Sequence, residues 1–199
     1  MKIWILIIPV LAAIGVLIFL IYRHKKAVPK SGVSVSQDYK PVDVYMGLRN
    51  QAFTAQASSF GEDFKGTKPF GVIVEIGMDR GICTVVSFAS GDASMYFSGG
   101  GGTIGGVGIP EVNKAAKEIV RVAELQTVKM KLTNQYPLVT KGNVRAYVLT
   151  DGKIYYDETA LATITKTETP AGWMFLLVQK VLTGFRHHEE SKSKQSQSN

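Results

Sequence analysis

The spacing of hydrophobic positions changes several times along the chain, and each change predicts a different element. Ile3 to Tyr22 is an unbroken run of 20 residues without a charge, long enough to cross a hydrocarbon core of about 30 Å as a helix. Pro9 and Gly15 are tolerated in such a helix. From Asp43 to Ser58 the spacing is helical, with Tyr45, Leu48, Ala52 and Ala55 recurring and Asp43 as a candidate N-cap. Residues 61–69 are polar and read as a loop. The period then becomes two: Phe70, Val72, Val74, Ile76 and Met78 alternate with Gly71, Ile73, Glu75 and Gly77, predicting a strand. Asp79-Arg80-Gly81 and Ser90-Gly91-Asp92 read as turns, so Ile82–Ala89 and Ala93–Ser98 become a second and a third strand. Turns this short join antiparallel neighbours, which predicts a meander.

Seven glycines fall in the ten residues from Gly99 to Gly108. After them, Pro110 occupies a first-turn position where its missing N–H costs nothing. Val112, Ala115, Ala116, Ile119, Val122 and Ala123 line one side of the predicted helix. Asn113, Lys114, Lys117, Glu118, Arg121 and Glu124 line the other, and the pattern fades between Gln126 and Thr133. Asn143–Thr150 and Lys153–Tyr156 read as a hairpin around Asp151-Gly152, while Glu158–Thr165 suits a short helix or a further strand. Thr169 and Pro170 are the expected N-cap and first residue of a last helix reaching about Phe185. Trp173 to Val178 are six apolar residues in succession, more than a one-sided face needs. Burial between the sheet and the first helix is the plain account. A second copy of the chain or an unidentified protein is the candidate partner otherwise, with Trp173, Phe175 and Leu176 as the interaction surface. The lipid headgroup region is disfavoured because Lys180 and Arg186 are the helix's only cations. His187–Asn199 is polar and of low complexity, as in a disordered tail.

These elements predict an α+β chain: an N-terminal transmembrane helix, then an antiparallel sheet with packed helices, in the order helix, three-strand meander, helix, hairpin, helix. Its parts are an anchor with a basic flank (1–26), a linker (27–42), one α+β domain (43–186) and the tail (187–199). The formal charge of +7 resembles a nucleic-acid signal until it is located. Lys2, Arg23, Lys25, Lys26 and Lys30 carry five positive charges in a stretch without an acid, whereas residues 31–186 hold 16 basic and 14 acidic side chains. The excess belongs to the membrane boundary, so no nucleic acid is expected as a partner. The apolar run ends Leu20-Ile21-Tyr22-Arg23 with no small-residue cleavage site, which favours an uncleaved anchor in the lipid bilayer through residues 3–22. The positive charges following it predict an inner-membrane protein whose C-terminal domain is cytoplasmic.

Candidate chemistry is sparse. His24, His187 and His188 all lie outside residues 43–186, so a histidine-based nucleophile or general base is excluded there. Cys83 is the only cysteine and sits in the apolar run Ile82–Val86, which marks a buried, inert thiol. No ligand set for a metal is evident, no cofactor is expected and no catalytic residue can be named. Gly100, Gly102 and Gly105 match G-x-G-x-x-G, but the flanking strands read as antiparallel and Glu124 falls on a helix face, unlike a dinucleotide fold. What the run offers is backbone: the amides of Gly100, Gly101, Gly102, Thr103, Gly105 and Gly106, leading to a helix N-terminus, are the candidate anion site. A strand-to-helix crossover that needs positive φ is the structural alternative.

The element order from Asp43 to Phe185 resembles the longin, roadblock and profilin-like layout, an antiparallel sheet with helices packed on it. Met95-Tyr96-Phe97-Ser98, followed by Gly100-Gly101-Gly102 and Ile104-Gly105-Gly106, resembles a group of uncharacterised bacterial proteins in which a similar aromatic strand and glycine run precede a helix. That resemblance implies a domain identity and no reaction. The sequence thus points to a membrane-anchored, non-enzymatic docking or regulatory domain. The alternative is a small-ligand or anion sensor, or a minor enzyme, using the Gly99–Gly108 loop.

Overall fold

A computed structural model describes residues 40–165 and 168–197. The expected membrane span and most of the expected linker lie outside the described residues. Among those described, no helix is long and apolar enough to cross a membrane. The elements in order are α1 (Asp43–Phe53), β1 (Gly71–Met78), β2 (Gly81–Phe88), β3 (Ala93–Phe97), β4 (Gly102–Thr103), α2 (Pro110–Gln126), β5 (Lys131–Thr133), β6 (Asn143–Thr150), β7 (Lys153–Ala160) and α3 (Pro170–Gln197). The strands form one antiparallel sheet in the order β4-β3-β2-β1-β6-β7-β5. The meander and the hairpin are therefore joined through β1 and β6, with Ile73 opposite Tyr147 and Val74 opposite Ala146.

Both faces of the sheet are covered. Val72, Val74 and Ile76 share a face with Val85, Ala146 and Val148, on which α2 and α3 pack. The opposite face carries Ile73, Ile82, Val86, Tyr147 and Leu149, which form a core with Tyr45, Ala52 and Phe53 of α1 and with Val139. β1 accordingly has no wet side, although its alternation is that of a half-buried strand.

Several boundaries differ from expectation for local reasons. α1 stops at Phe53 rather than Ser58 because the Thr54 hydroxyl donates back to the carbonyls of Asn50 and Gln51. Short 3₁₀ turns at Ala57–Phe60 and Glu62–Phe64 follow. Val42, not Asp43, occupies the cap position, and Asp43 lies in the first turn, where its charge suits the helix dipole. On α2, Val120 is buried and Val122 only half-buried. β7 continues to Ala160 and closes in a 3₁₀ turn at Leu161–Thr163, which resolves the ambiguous stretch.

The last helix departs most. Its start is as read, with Thr169 Oγ1 accepting the Gly172 N–H at 3.1 Å, and the Asp157 carboxylate accepting the Ala171 N–H at 2.9 Å. Phe175, expected on an interaction surface, is buried with Met174, Val178, Val181, Leu182 and Phe185. Leu176 is half-buried, and only Trp173 remains substantially exposed, at 41%. The covering neighbour is α2 rather than the first helix. A Cβ on Gly184 would come within 2.8 Å of Val112, so glycine permits that close packing. The expected disordered tail is instead helical to Gln197. Glu, Lys and Gln are good helix formers. An Arg186–Glu190 pair at i,i+4 and a 3.0 Å contact of His187 Nδ1 with Glu111 of α2 also support this extension.

Candidate functional site

The glycine run is a crossover whose amides largely have partners already. Gly100 N–H donates to the Phe97 carbonyl and Gly101 accepts from Phe97 N–H, closing the β3–β4 turn. Gly100, Gly101, Gly102 and Gly105 all have positive φ. Thr103 pairs with Met95 on the outermost strand. Beyond it, Gly105 N–H donates to Ser94 Oγ at 3.4 Å, Gly106 N–H to the Ala93 carbonyl at 2.8 Å and Val107 N–H to Asp92 Oδ1 at 3.1 Å. A Cβ on Gly102 would overlap the Met95 carbonyl, and one on Gly106 would lie 3.0 Å from Phe185 Cζ. The helix N-terminus that follows carries Glu111 in its first turn, a charge of the wrong sign for an anion site. The arrangement brings the six candidate residues together at the sheet edge, with a folding role evident at Gly102 and Gly106.

A row of perturbed ionisable groups lies on the face of the sheet that α1 covers. Register places Tyr96, Thr84, Glu75, Arg145 and Glu158 in one row across five strands. α1 lays two side chains on this row. Tyr45 Oη and Thr84 Oγ1 are 2.9 Å apart, and Arg49 grips Glu75 with two hydrogen bonds, Nε to Oε1 at 2.5 Å and Nη2 to Oε2 at 3.1 Å. Arg49 and Glu75 are 2% and 0% exposed, so this is a desolvated ion pair. Arg145 forms the second pair, with Glu158, where Nε donates at 2.5 Å. The Pro137 carbonyl accepts from Arg49, Arg145 and Tyr147, tying the connection between β5 and β6 to the row. Tyr136 in that connection stacks on Phe53 with centroids 4.3 Å apart.

Burial dominates the electrostatics. It raises the Glu75 carboxyl, against the opposing hydrogen bond and charge of Arg49. It also works against the Arg49 charge, but the bond to Glu75 and its charge more than offset this and the guanidinium is held ionised. The Tyr45, Tyr96 and Tyr147 hydroxyls are raised chiefly by burial. These groups hold α1 on the sheet. No expectation from the sequence singled out Arg49, Glu75, Arg145 or Glu158. The available signal was Arg49 itself, four residues after Tyr45 on the apolar side of the predicted helix.

An accessible concavity lies next to this row. A groove of about 490 Å³ runs between the C-terminal end of α1 and the edge formed by β5 and the β6–β7 turn. Phe53, Phe70, Tyr136, Leu149 and Ile154 contribute apolar lining, and Gln56, Asn134, Asp151 and Lys153 the polar rim. β5 is the outermost strand there, so one side of its backbone has no neighbour in the sheet. Among the described residues no group of His, Cys, Asp or Glu is placed to hold a metal. Comparison with protein-family models, with curated proteins and with solved structures finds no match for this chain.

Proposed function

We propose that this chain is a membrane-tethered docking domain that holds a partner protein at the bilayer and performs no chemistry of its own. The observation that carries the reading is the division of labour between the two regions beside α1. The ionisable groups beneath α1 are engaged with one another, Arg49 with Glu75 fully buried and Arg145 with Glu158 half-buried. The open groove offers aromatic and aliphatic surface with a polar rim along a free strand edge. An extended peptide segment fits such a place, adding backbone hydrogen bonds to the edge and apolar side chains to the groove. The tether rests on the uncharged run Ile3–Tyr22 and its basic flank.

A photo-crosslinking amino acid at Asn134 in the full chain, expressed in its native membranes, tests the docking part. The expected result is one discrete protein adduct that disappears when Ile154→Lys and Leu132→Lys are added. No adduct, or one that survives those changes, rejects the groove as the docking site. Alkaline carbonate extraction tests the tether separately, and release of the intact chain into the supernatant would remove it from the reading.

A further inference from the structure

The outer face of α2 carries a stripe that neither the fold nor the groove uses. Lys114, Lys117, Arg121, Leu125 and Val128 recur at helical spacing on the side opposite the buried Val112, Ala116, Ile119 and Ala123, and all five are exposed. Lys114, Lys117 and Arg121 line one shallow depression with Glu118 and Lys180. There Lys180 Nζ bonds both Glu118 oxygens at 2.8 Å, which cancels that pair and leaves three cations unneutralised. Glu124, and Glu111 in the first turn, are the remaining acids on this side of the helix. At the far end the stripe changes character. Leu125 and Val128 are 67% and 86% exposed, with Lys129 and Lys131 immediately after them. Nothing in the domain covers these two aliphatic side chains.

Cations that lead into exposed aliphatic tips match an anionic bilayer surface: phosphates attract the cations, and the tips enter the headgroup boundary. A nucleic-acid backbone would use the cations and leave Leu125 and Val128 without a purpose. We infer that the α2 stripe docks the domain onto anionic lipid, with Lys114, Lys117 and Arg121 on headgroup phosphates and Leu125 and Val128 inserted. The inference gains from the tether proposed above, because only 17 residues separate Tyr22 from Lys40 and hold the domain at high effective concentration near the bilayer. The docking surface itself is formed by α2 and the turn after it.

The test uses the full chain with Val128→Cys carrying an environment-sensitive fluorophore; Cys83 is buried and so does not compete for the label. Vesicles are either phosphatidylcholine alone or contain a third of phosphatidylglycerol, with nitroxide-labelled headgroups as quenchers. Flotation with the neutral vesicles reads the tether independently of the label. The expected result is a blue shift and quenching on the anionic vesicles only. Lys114→Glu with Lys117→Glu and Arg121→Glu should weaken that docking at least ~100-fold, at about fivefold per cation near an anionic surface. Leu125→Asp should reduce insertion while leaving the charges in place, and circular dichroism should show both variants folded. Equal quenching on neutral vesicles, no quenching on anionic ones, or a shift produced by duplex DNA without lipid would each overturn the inference. Loss of flotation with docking retained on anionic vesicles would instead remove the tether alone.

Discussion

Arg49 and Glu75 put two charges into an interior where each requires the other. Removing one leaves an uncompensated buried ion, and Arg49→Met or Glu75→Leu alone should cost about 3–5 kcal/mol. Replacing both removes the desolvation cost with the attraction, so Arg49→Met/Glu75→Leu should fall within about 1–2 kcal/mol of the parent in urea unfolding. Additive losses in the double variant would reject the pairing as the reason for the single effects. Cys83 supplies a pH test on the other face of the sheet. Burial pushes its thiol from 9.0 up to about 12. A raised folded value means the thiol's contribution is fully present below pH 9 and declines as pH rises towards 12, because only the unfolded chain ionises in that window. Between pH 9 and 10 the parent should approach a loss of about 1.4 kcal/mol per pH unit that Cys83→Ala does not show. Parallel pH profiles for the two proteins would mean that the thiolate is accommodated in the fold.

Among the elements, the glycine run and the last helix separate packing from function. Gly102→Ala and Gly106→Ala each force a Cβ against backbone or core, so each should destabilise by about 1–3 kcal/mol. Gly108 has open space around it and an ordinary φ, and Gly108→Ala should be neutral or stabilise by up to about 1 kcal/mol. Equal behaviour of the three in urea unfolding would discard the packing account. In α3, Phe175→Ser should cost about 3–5 kcal/mol and Trp173→Ser clearly less, since the first ring is buried and the second keeps 41% of its surface exposed. Pairing of two copies through this helix therefore has Trp173 and part of Leu176 available, but not Phe175. The meander, α2, the hairpin and the start of α3 were legible because period, turn glycines and prolines agree there. β4 and β5 were not, being two and three residues long, too short to show a period. The buried row was missed for a different reason. Glu75 in an alternating strand reads as a solvent-facing position, and only the placement of α1 over it reveals Arg49 as its partner.

At the scale of the whole domain, the sheet is held between two unlike layers. α2 and α3 pack on one face through Val, Ile, Met and Phe side chains, and α3 adds its extension beyond the core. α1 is a single helix of 11 residues, fixed by aromatic packing, the Arg49–Glu75 pair, the Tyr45–Thr84 contact and a 3.4 Å bond from Tyr96 Oη to the Leu48 carbonyl. Releasing α1 exposes, besides its share of apolar core, ions and hydroxyls that water solvates well, whereas releasing α2 or α3 exposes mostly hydrocarbon. Opening should therefore be unequal, with α1 leaving the sheet at a lower free energy than global unfolding. Native-state hydrogen exchange in low urea is the measurement. The α1 amides should exchange through a sub-global opening with a smaller urea dependence than those of β1, β6 and α3. Arg49→Met/Glu75→Leu should raise the opening free energy of α1 towards the global value, because these two positions would then expose hydrocarbon instead of charge on opening. If the parent's α1 already exchanges only by global unfolding, the polar layer confers no independent mobility. The groove beside α1 would then be a fixed surface.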